Sequence, residues 1–169
     1  MAKRDKRARR RRSRGEGIKV PGVGRLLHLY WRFSRGLTLG VRAVVIDARD
    51  RVFLVRHTYA KGWHFPGGGV ETGEAAADAL RRELREEACI ELLGEPRLHG
   101  VFFNDRTYRR DHVLVYVVRD FRVLEAKQPD REIAEARFFP LDALPDGVTR
   151  PTRARLEEIT TDRTPAPSW

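Results

Sequence analysis

Residues 67–90, GGGVETGEAAADALRRELREEACI, decide how this chain of 169 residues is read. Three consecutive glycines and a Val-Glu-Thr-Gly-Glu turn lead into an alanine-rich segment that ends in a cluster of arginine and glutamate. Helical spacing places Glu83, Glu86 and Glu87 at i, i+3 and i+4, so three carboxylates crowd one face. Like charges at that spacing destabilise a bare helix by a few tenths of a kcal/mol per pair. A compensating cation is called for, and a hard divalent ion that takes oxygen ligands fits best. Ala77, Leu80, Leu84 and Ala88 form the opposite, apolar face, which predicts packing on a sheet.

Outward from that stretch, composition sets the frame. With 41% hydrophobic and 34% charged residues, the chain is long enough for one packed domain and reads as a globular protein with a highly charged surface. The longest apolar run, residues 113–118, is far too short to span a membrane, and no apolar segment of signal-peptide type follows the basic start. The single cysteine, Cys89, excludes an intrachain disulfide and suits a reducing, cytoplasmic setting. Residues 1–14 hold nine Lys or Arg against Asp5 alone, so eight of the ten net positive charges belong to the tail. Such a tail reads either as a solubilising leader or as a counterion-releasing arm for nucleic acid. No aromatic residue interleaves its arginines, which favours the leader.

In chain order, the basic tail and a glycine-rich linker fill residues 1–24. A short amphipathic helix is expected over 25–36, built on Leu26, Leu27, Leu29, Tyr30 and Phe33. Residues 37–48 and 51–57 are rich in β-branched side chains around a polar turn and predict a β-hairpin. Trp63, His64 and Phe65 read as a short strand stopped by Pro66. A helix over 75–88 follows, then strands over 97–103 and 112–121, a polar connection, and a strand over 134–139. A closing helix over 151–159, with Thr152 near its start, precedes an end at 161–169 that is expected to fray. This order predicts an α/β/α sandwich with a mixed β-sheet, the domain occupying 37–160.

The spacing within the opening stretch resembles the Nudix box, Gly-x5-Glu-x7-Arg-Glu-U-x-Glu-Glu-x-Gly-U, where U is a bulky aliphatic residue. Gly68, Glu74, Arg82, Glu83, Leu84, Glu86, Glu87 and Ile90 occupy its defined positions, and Cys89 stands where the box has its final glycine. The resemblance implies a Nudix fold and a pyrophosphohydrolase that needs Mg²⁺ or Mn²⁺. It also implies that the Gly67 carbonyl and the Glu86 and Glu87 carboxylates hold the metal. Glu83 would ligate it too or act as base, Arg82 would pin Glu83 through a bidentate pair, and Gly68 and Glu74 would support the loop. Glu132 is expected as a further metal ligand, and Arg56, with its neighbour His57, as a phosphate or ribose contact. Tyr59 and Phe103 are expected to stack on a base. Asp111 and His112, which head an apolar strand, read as structural.

At Cys89, just past the helix, the box glycine would adopt a left-handed conformation, so a small local strain is expected. The substrate expected is a nucleoside diphosphate linked to another moiety, among ADP-ribose, nucleotide sugars, dinucleoside polyphosphates and nucleoside triphosphates. Two rivals stand beside it. One is an RNA 5′-pyrophosphohydrolase that uses the tail, and the other is a non-catalytic nucleotide sensor. Oligomeric state is left open.

Overall fold

The computed structural model describes residues 36–105 and 109–169, together with Tyr30. The chain divides into two compact units, residues 1–36 and 37–169. The tail, linker and amphipathic helix expected in the first lie outside the described residues, Tyr30 excepted; Tyr30 is helical and exposed. No helix of the described residues is long and apolar enough to cross a membrane.

The second unit is built from β1 (Thr38–Val45), β2 (Arg51–His57), α1 (Ala76–Ala88), β3 (Ile90–Leu92), β4 (Arg97–Phe103), β5 (Asp111–Val118), β6 (Phe121–Val123), β7 (Ile133–Pro140) and α2 (Arg150–Thr160). β1 runs parallel to β5 and β4 antiparallel to it, giving a mixed sheet in the order β1-β5-β4. β2 pairs antiparallel with β7, and β3 with β6. Strand alternation separates two cores. Val41, Ala43, Val45, Phe53 and Val55 pack under α1 with Ala79, Leu80, Leu84 and Ala88. Val44, Ile46, Val52 and Leu54 face the other way, towards Trp63, Phe65, Phe102 and Leu156 of α2. The α/β expectation with a mixed sheet and helices on both faces therefore stands. On α1 it is Ala79, not Ala77, that completes the buried apolar set.

Several local expectations differ. Among the described residues, backbone pairing between the two segments is the Ile46–Val52 bridge beside the Asp47 turn, and each strand then takes another partner along its length. Both strands bury residues on two faces and so lie between the two cores, which an isolated hairpin with a solvated face does not allow. Trp63 and His64 make single bridges, to Val148 and Val55, instead of forming a strand. The short strands β3 and β6 were not legible, since three residues carry no alternation. The C-terminal residues do not fray. Phe103 donates its N–H to the Pro167 carbonyl at 3.0 Å and accepts the Trp169 N–H at 3.0 Å. Buried Arg155 bonds the Ser168 carbonyl and the Glu158 carboxylate, and lies over the Phe102 ring. Burial alone would raise Glu158, but bonds from His99, the Ala166 N–H and Arg155 outweigh it and hold its pKa below the ordinary carboxylate value.

α1 ends as the sequence anticipates. Cys89 sits at φ 52° and ψ 39°, and its N–H closes the helix on the Leu84 carbonyl. A side chain in that left-handed well costs about 1–2 kcal/mol, while a glycine there gives up about 0.5–1 kcal/mol of unfolded-state entropy. Cys89→Gly is therefore expected to stabilise the protein by about 0.5–1 kcal/mol, read as a thermal midpoint a few degrees higher. An unchanged or lower midpoint would rule out strain at this cap.

Candidate active site

The site is assembled where α1 meets the glycine loop. β1 fixes that loop: Val41 and Ala43 donate N–H groups to the Gly68 and Pro66 carbonyls, each at 2.9 Å. Gly67 adopts φ 138°, and a Cβ there would stand 2.2 Å from the Val41 carbonyl oxygen, so only glycine fits. At Gly68 the obstruction would be a side chain, because a Cβ would lie 2.3 Å from Glu83 Oε1. The glycines thus let α1 carboxylates approach the loop backbone.

Glu83 and Glu87, four residues apart, are both buried, whereas Glu86 is exposed. Glu87 Oε2 accepts the Gly67 N–H at 2.7 Å. Burial nevertheless dominates and pushes the Glu87 pKa up to about 7, against the opposing effects of that bond and of the Arg42 charge. Glu83 Oε1 accepts Arg82 Nη1 at 2.7 Å. The bidentate partner of Arg82 is Glu74 and not Glu83: Nε and Nη2 reach its two oxygens at 3.0 and 3.2 Å. The reason is geometric, since adjacent residues on a helix diverge while the loop brings Glu74 face-on to the guanidinium fork. Arg82 Nη2 also bonds the Gly69 carbonyl, so one side chain ties helix and loop together. The Arg82 bonds and the Glu71 N–H hold Glu74 below the ordinary carboxylate range, and Glu74 in turn keeps Arg82 charged.

A cavity of about 470 Å³ opens beside these groups, lined by Glu83, Glu86, Glu87, Asp130, Arg131, Glu132 and Ile133. Glu132 thus shares a wall with the α1 carboxylates, as its assignment requires. Asp130 Oδ1 accepts the N–H groups of Ile133 and Glu132 at 2.7 and 2.8 Å, which shapes that loop. Those backbone bonds, with Lys127, lower its pKa to about 2.

The expected substrate contacts separate. Tyr59 is exposed and stacks on His57 with ring centroids 5.0 Å apart, and its hydroxyl is shifted upward by burial and then by the Glu87 charge. The Glu87, Glu132 and Glu83 charges act on it, but it is not among the residues that line the cavity. Arg56 instead pairs with Glu135 across β2 and β7 at 2.8 Å, which engages it on the strand surface. Phe103 lies against His112 and pairs with the C-terminal residues, and it does not line the cavity. Asp111 accepts bonds from Thr38 and Asn104, a structural role. His57 is buried, with Nδ1 3.8 Å from Glu87 Oε1. Burial, then His64 and Arg42, lower its pKa to about 4, so this contact is not an ion pair at neutral pH. Arg42, Asp130 and Arg131 escaped the sequence reading. Only Arg42 carried a signal, as a lone charge inside an apolar strand.

The family model for the NUDIX domain matches residues 36–161. The chain belongs to the Nudix family. Among curated relatives, an RNA pyrophosphohydrolase of Legionella pneumophila (strain Corby) is 39% identical over 67 residues, 37% of this chain and 38% of that one. The uncharacterized Nudix hydrolase YvcI of Bacillus subtilis is 40% identical over 58 residues, 34% and 36% of the two chains. The chain therefore spans little more than a third of the length of these relatives. A MutT NUDIX hydrolase from Burkholderia pseudomallei superposes with a TM-score of 0.60 at 27% identity, over 72% of this chain and 97% of that one. An ADP-ribose pyrophosphatase from Streptococcus suis shares the fold, with a TM-score of 0.57 at 24% identity over 73% and 91%.

Nudix hydrolases generally use divalent metals. Among the described residues no three acidic, imidazole or thiol side chains form a ready-made metal cage. The donor set fits a hard cation all the same. Glu83 and Glu87 each spend one oxygen on a protein donor, and Glu86 and Glu132 carry further carboxylates to the same cavity. A buried carboxylate with a raised pKa is also a group that a cation would relieve.

The Glu87 shift has a sign that can be measured without metal. Below about pH 4.5 folded and unfolded Glu87 are both protonated. Between about 4.5 and about 7 the unfolded chain releases the proton and the folded chain keeps it, so stability falls as pH rises. His57, held neutral down to about 4, and His64, also lowered, act with the opposite sign over the same range, so the Glu87 effect is read as a difference: the urea midpoint of the metal-free protein is expected to fall across the window relative to that of Glu87→Gln. Parallel profiles for the two proteins would contradict it.

Proposed function

We propose that the chain is a Mg²⁺- or Mn²⁺-dependent pyrophosphohydrolase acting on a nucleoside diphosphate linked to another moiety, in a cytoplasmic setting. The observation that carries this reading is the shared cavity of Glu83, Glu86, Glu87 and Glu132 beside the glycine loop. When bound, the metal supplies neutralisation of the diphosphate charge and activation of water. Glu86, Glu87 and Glu132, with the Gly67 carbonyl, would hold it. Arg82 fixes Glu83 through one oxygen, and the other accepts the proton of the attacking water. The water oxygen bonds to one phosphorus and the bridging P–O bond breaks, releasing a nucleoside monophosphate and a second phosphorylated product. Tyr59 offers an exposed ring for the base.

A panel of ADP-ribose, nucleotide sugars, dinucleoside polyphosphates and nucleoside triphosphates, assayed with Mg²⁺ or Mn²⁺, tests the class and locates the cut bond. On a cleaved substrate, Glu86→Gln and Glu87→Gln are each expected to lower kcat by about 100-fold or more while the thermal transition persists. Unchanged turnover in both would sink the reading.

The names of the bacterial relatives favour a second reading, removal of a 5′ diphosphate from RNA, with residues 1–14 as a phosphate-binding arm. Deleting residues 1–14 is then expected to weaken RNA binding and flatten its dependence on salt. Equal, weak binding by both forms would dismiss it.

A further inference from the structure

His57, the last residue of β2, is buried, and its Nδ1 has no hydrogen-bond partner among the described residues. Buried polar atoms are ordinarily paired, so an open one beside a site calls for a reason. Two neighbours hold the ring in its orientation. Tyr59 stacks on it, with centroids 5.0 Å apart and planes 28° from parallel, and His64 packs at 5.5 Å. The group that Nδ1 meets is a carboxylate of the candidate site: Glu87 Oε1 lies 3.8 Å away.

Glu87 enters the site with one oxygen fixed and one open. Oε2 accepts the Gly67 N–H at 2.7 Å, and Oε1 accepts no hydrogen bond from the described residues. At 3.8 Å the His57 contact is too long for a hydrogen bond, and a shift of about 1 Å closes it. The end of β2 is also anchored to the opposite wall of the cavity. The register of β2 on β7 shifts between Arg56 and His57, and bulges of that kind bend strands beside active sites. Directly after it, Thr58 donates its N–H to the Glu132 carbonyl at 2.9 Å and its hydroxyl to the Arg131 carbonyl at 2.7 Å. His57 thus stands on backbone tied to the loop that carries Glu132, with its imidazole against the Glu87 carboxylate of α1.

Resting on the hydrolase reading above and its cation, we propose that His57 is a positioning residue for Glu87, its Nδ1–H donating to Oε1 when the carboxylate takes the cation. With the Gly67 N–H on Oε2, both oxygens then have a donor, and each keeps a lone pair for the metal. The plane of the carboxylate is fixed from two sides, by the glycine loop and by β2. Outer hydrogen bonds of this kind orient metal ligands and raise their affinity. The role requires the neutral ring to carry its proton on Nδ1, the tautomer that donates towards Glu87.

The probe is Mn²⁺ alone, titrated calorimetrically into the full chain. His57→Leu is expected to weaken its binding by about 10-fold or more, the usual cost of removing a hydrogen bond that orients a metal ligand. His57→Asn places an amide nitrogen close to the position of Nδ1 and is expected to stay within about threefold of the wild type. His57→Gln reaches towards the position of Nε2 and is expected to behave like His57→Leu. A packing role would not separate Asn from Gln. In ¹⁵N spectra of the wild type the His57 ring is expected as the Nδ1–H tautomer, with that resonance shifting when Mg²⁺ is added. Where a variant loses its folded circular dichroism, the wild-type tautomer decides. An Nε2–H tautomer, no Mn²⁺ binding by the wild type, equal affinity in His57→Leu, or equal affinities in the Asn and Gln variants overturns the positioning role. Mn²⁺ binding that depends on His57, without cleavage of any panel member, leaves the positioning role standing and removes the hydrolase reading. Cleavage with an Mn²⁺ affinity independent of His57 does the reverse.

Discussion

Two carboxylates taken out of water at a helix–sheet contact govern this molecule. Glu83 and Glu87 lie on the side of α1 that also carries Leu80 and Leu84, where burial would ordinarily expel a charge. They stay because the backbone comes to meet them. Gly67 lends an N–H to one, and Gly68 leaves room for the other beside the Arg82 guanidinium. Arg82 in turn clamps Glu74 and Gly69, so the loop cannot withdraw from the helix without breaking three contacts of one side chain. Each carboxylate has one protein donor, and at Glu87 burial outweighs that bond and pushes the pKa up to about 7, so positive charge there would relieve it.

Much of this was legible in the sequence, for physical reasons. A helix of thirteen residues with a strong apolar stripe declares itself, and Cys89 at its end falls where a left-handed residue closes it. β1, β2, β5 and β7 are long enough, and β-branched enough, to be recognised as strands. Their partners were not recognisable. The turn at Asp47 suggests a hairpin, yet β1 pairs with β5 and β2 with β7, because both strands are buried on two faces between the cores and local spacing cannot report which strand comes to lie beside them. At the site, the box positions came together as their spacing implied, and Glu132 joined them across the cavity. The pairing of Arg82 with Glu74 was missed, since a loop's return path sets it. Arg56 and Phe103 look like substrate contacts in the sequence and are engaged by Glu135 and by the C-terminal residues in the fold.

The acidic cavity and Arg42 act on Glu87 with opposite sign. Glu83, Glu86, Glu87, Glu132 and Asp130 line the cavity, while the Arg42 charge opposes the rise of the Glu87 pKa.

The parallel pairing of β1 with β5 also has a kinetic side. Thr38 bonds Asp111 across 73 positions of the chain, so the central ladder forms only after a long loop has closed. Helix α1 lies within that loop, and its apolar face has nowhere to dock until the strands beneath it are laid down. Folding is accordingly paced by the sheet, in the slower range of mixed α/β topologies. The buried state of Glu87 needs α1 and the loop that β1 holds to be together, so its carboxylate has its backbone donor only once helix, loop and strand have met.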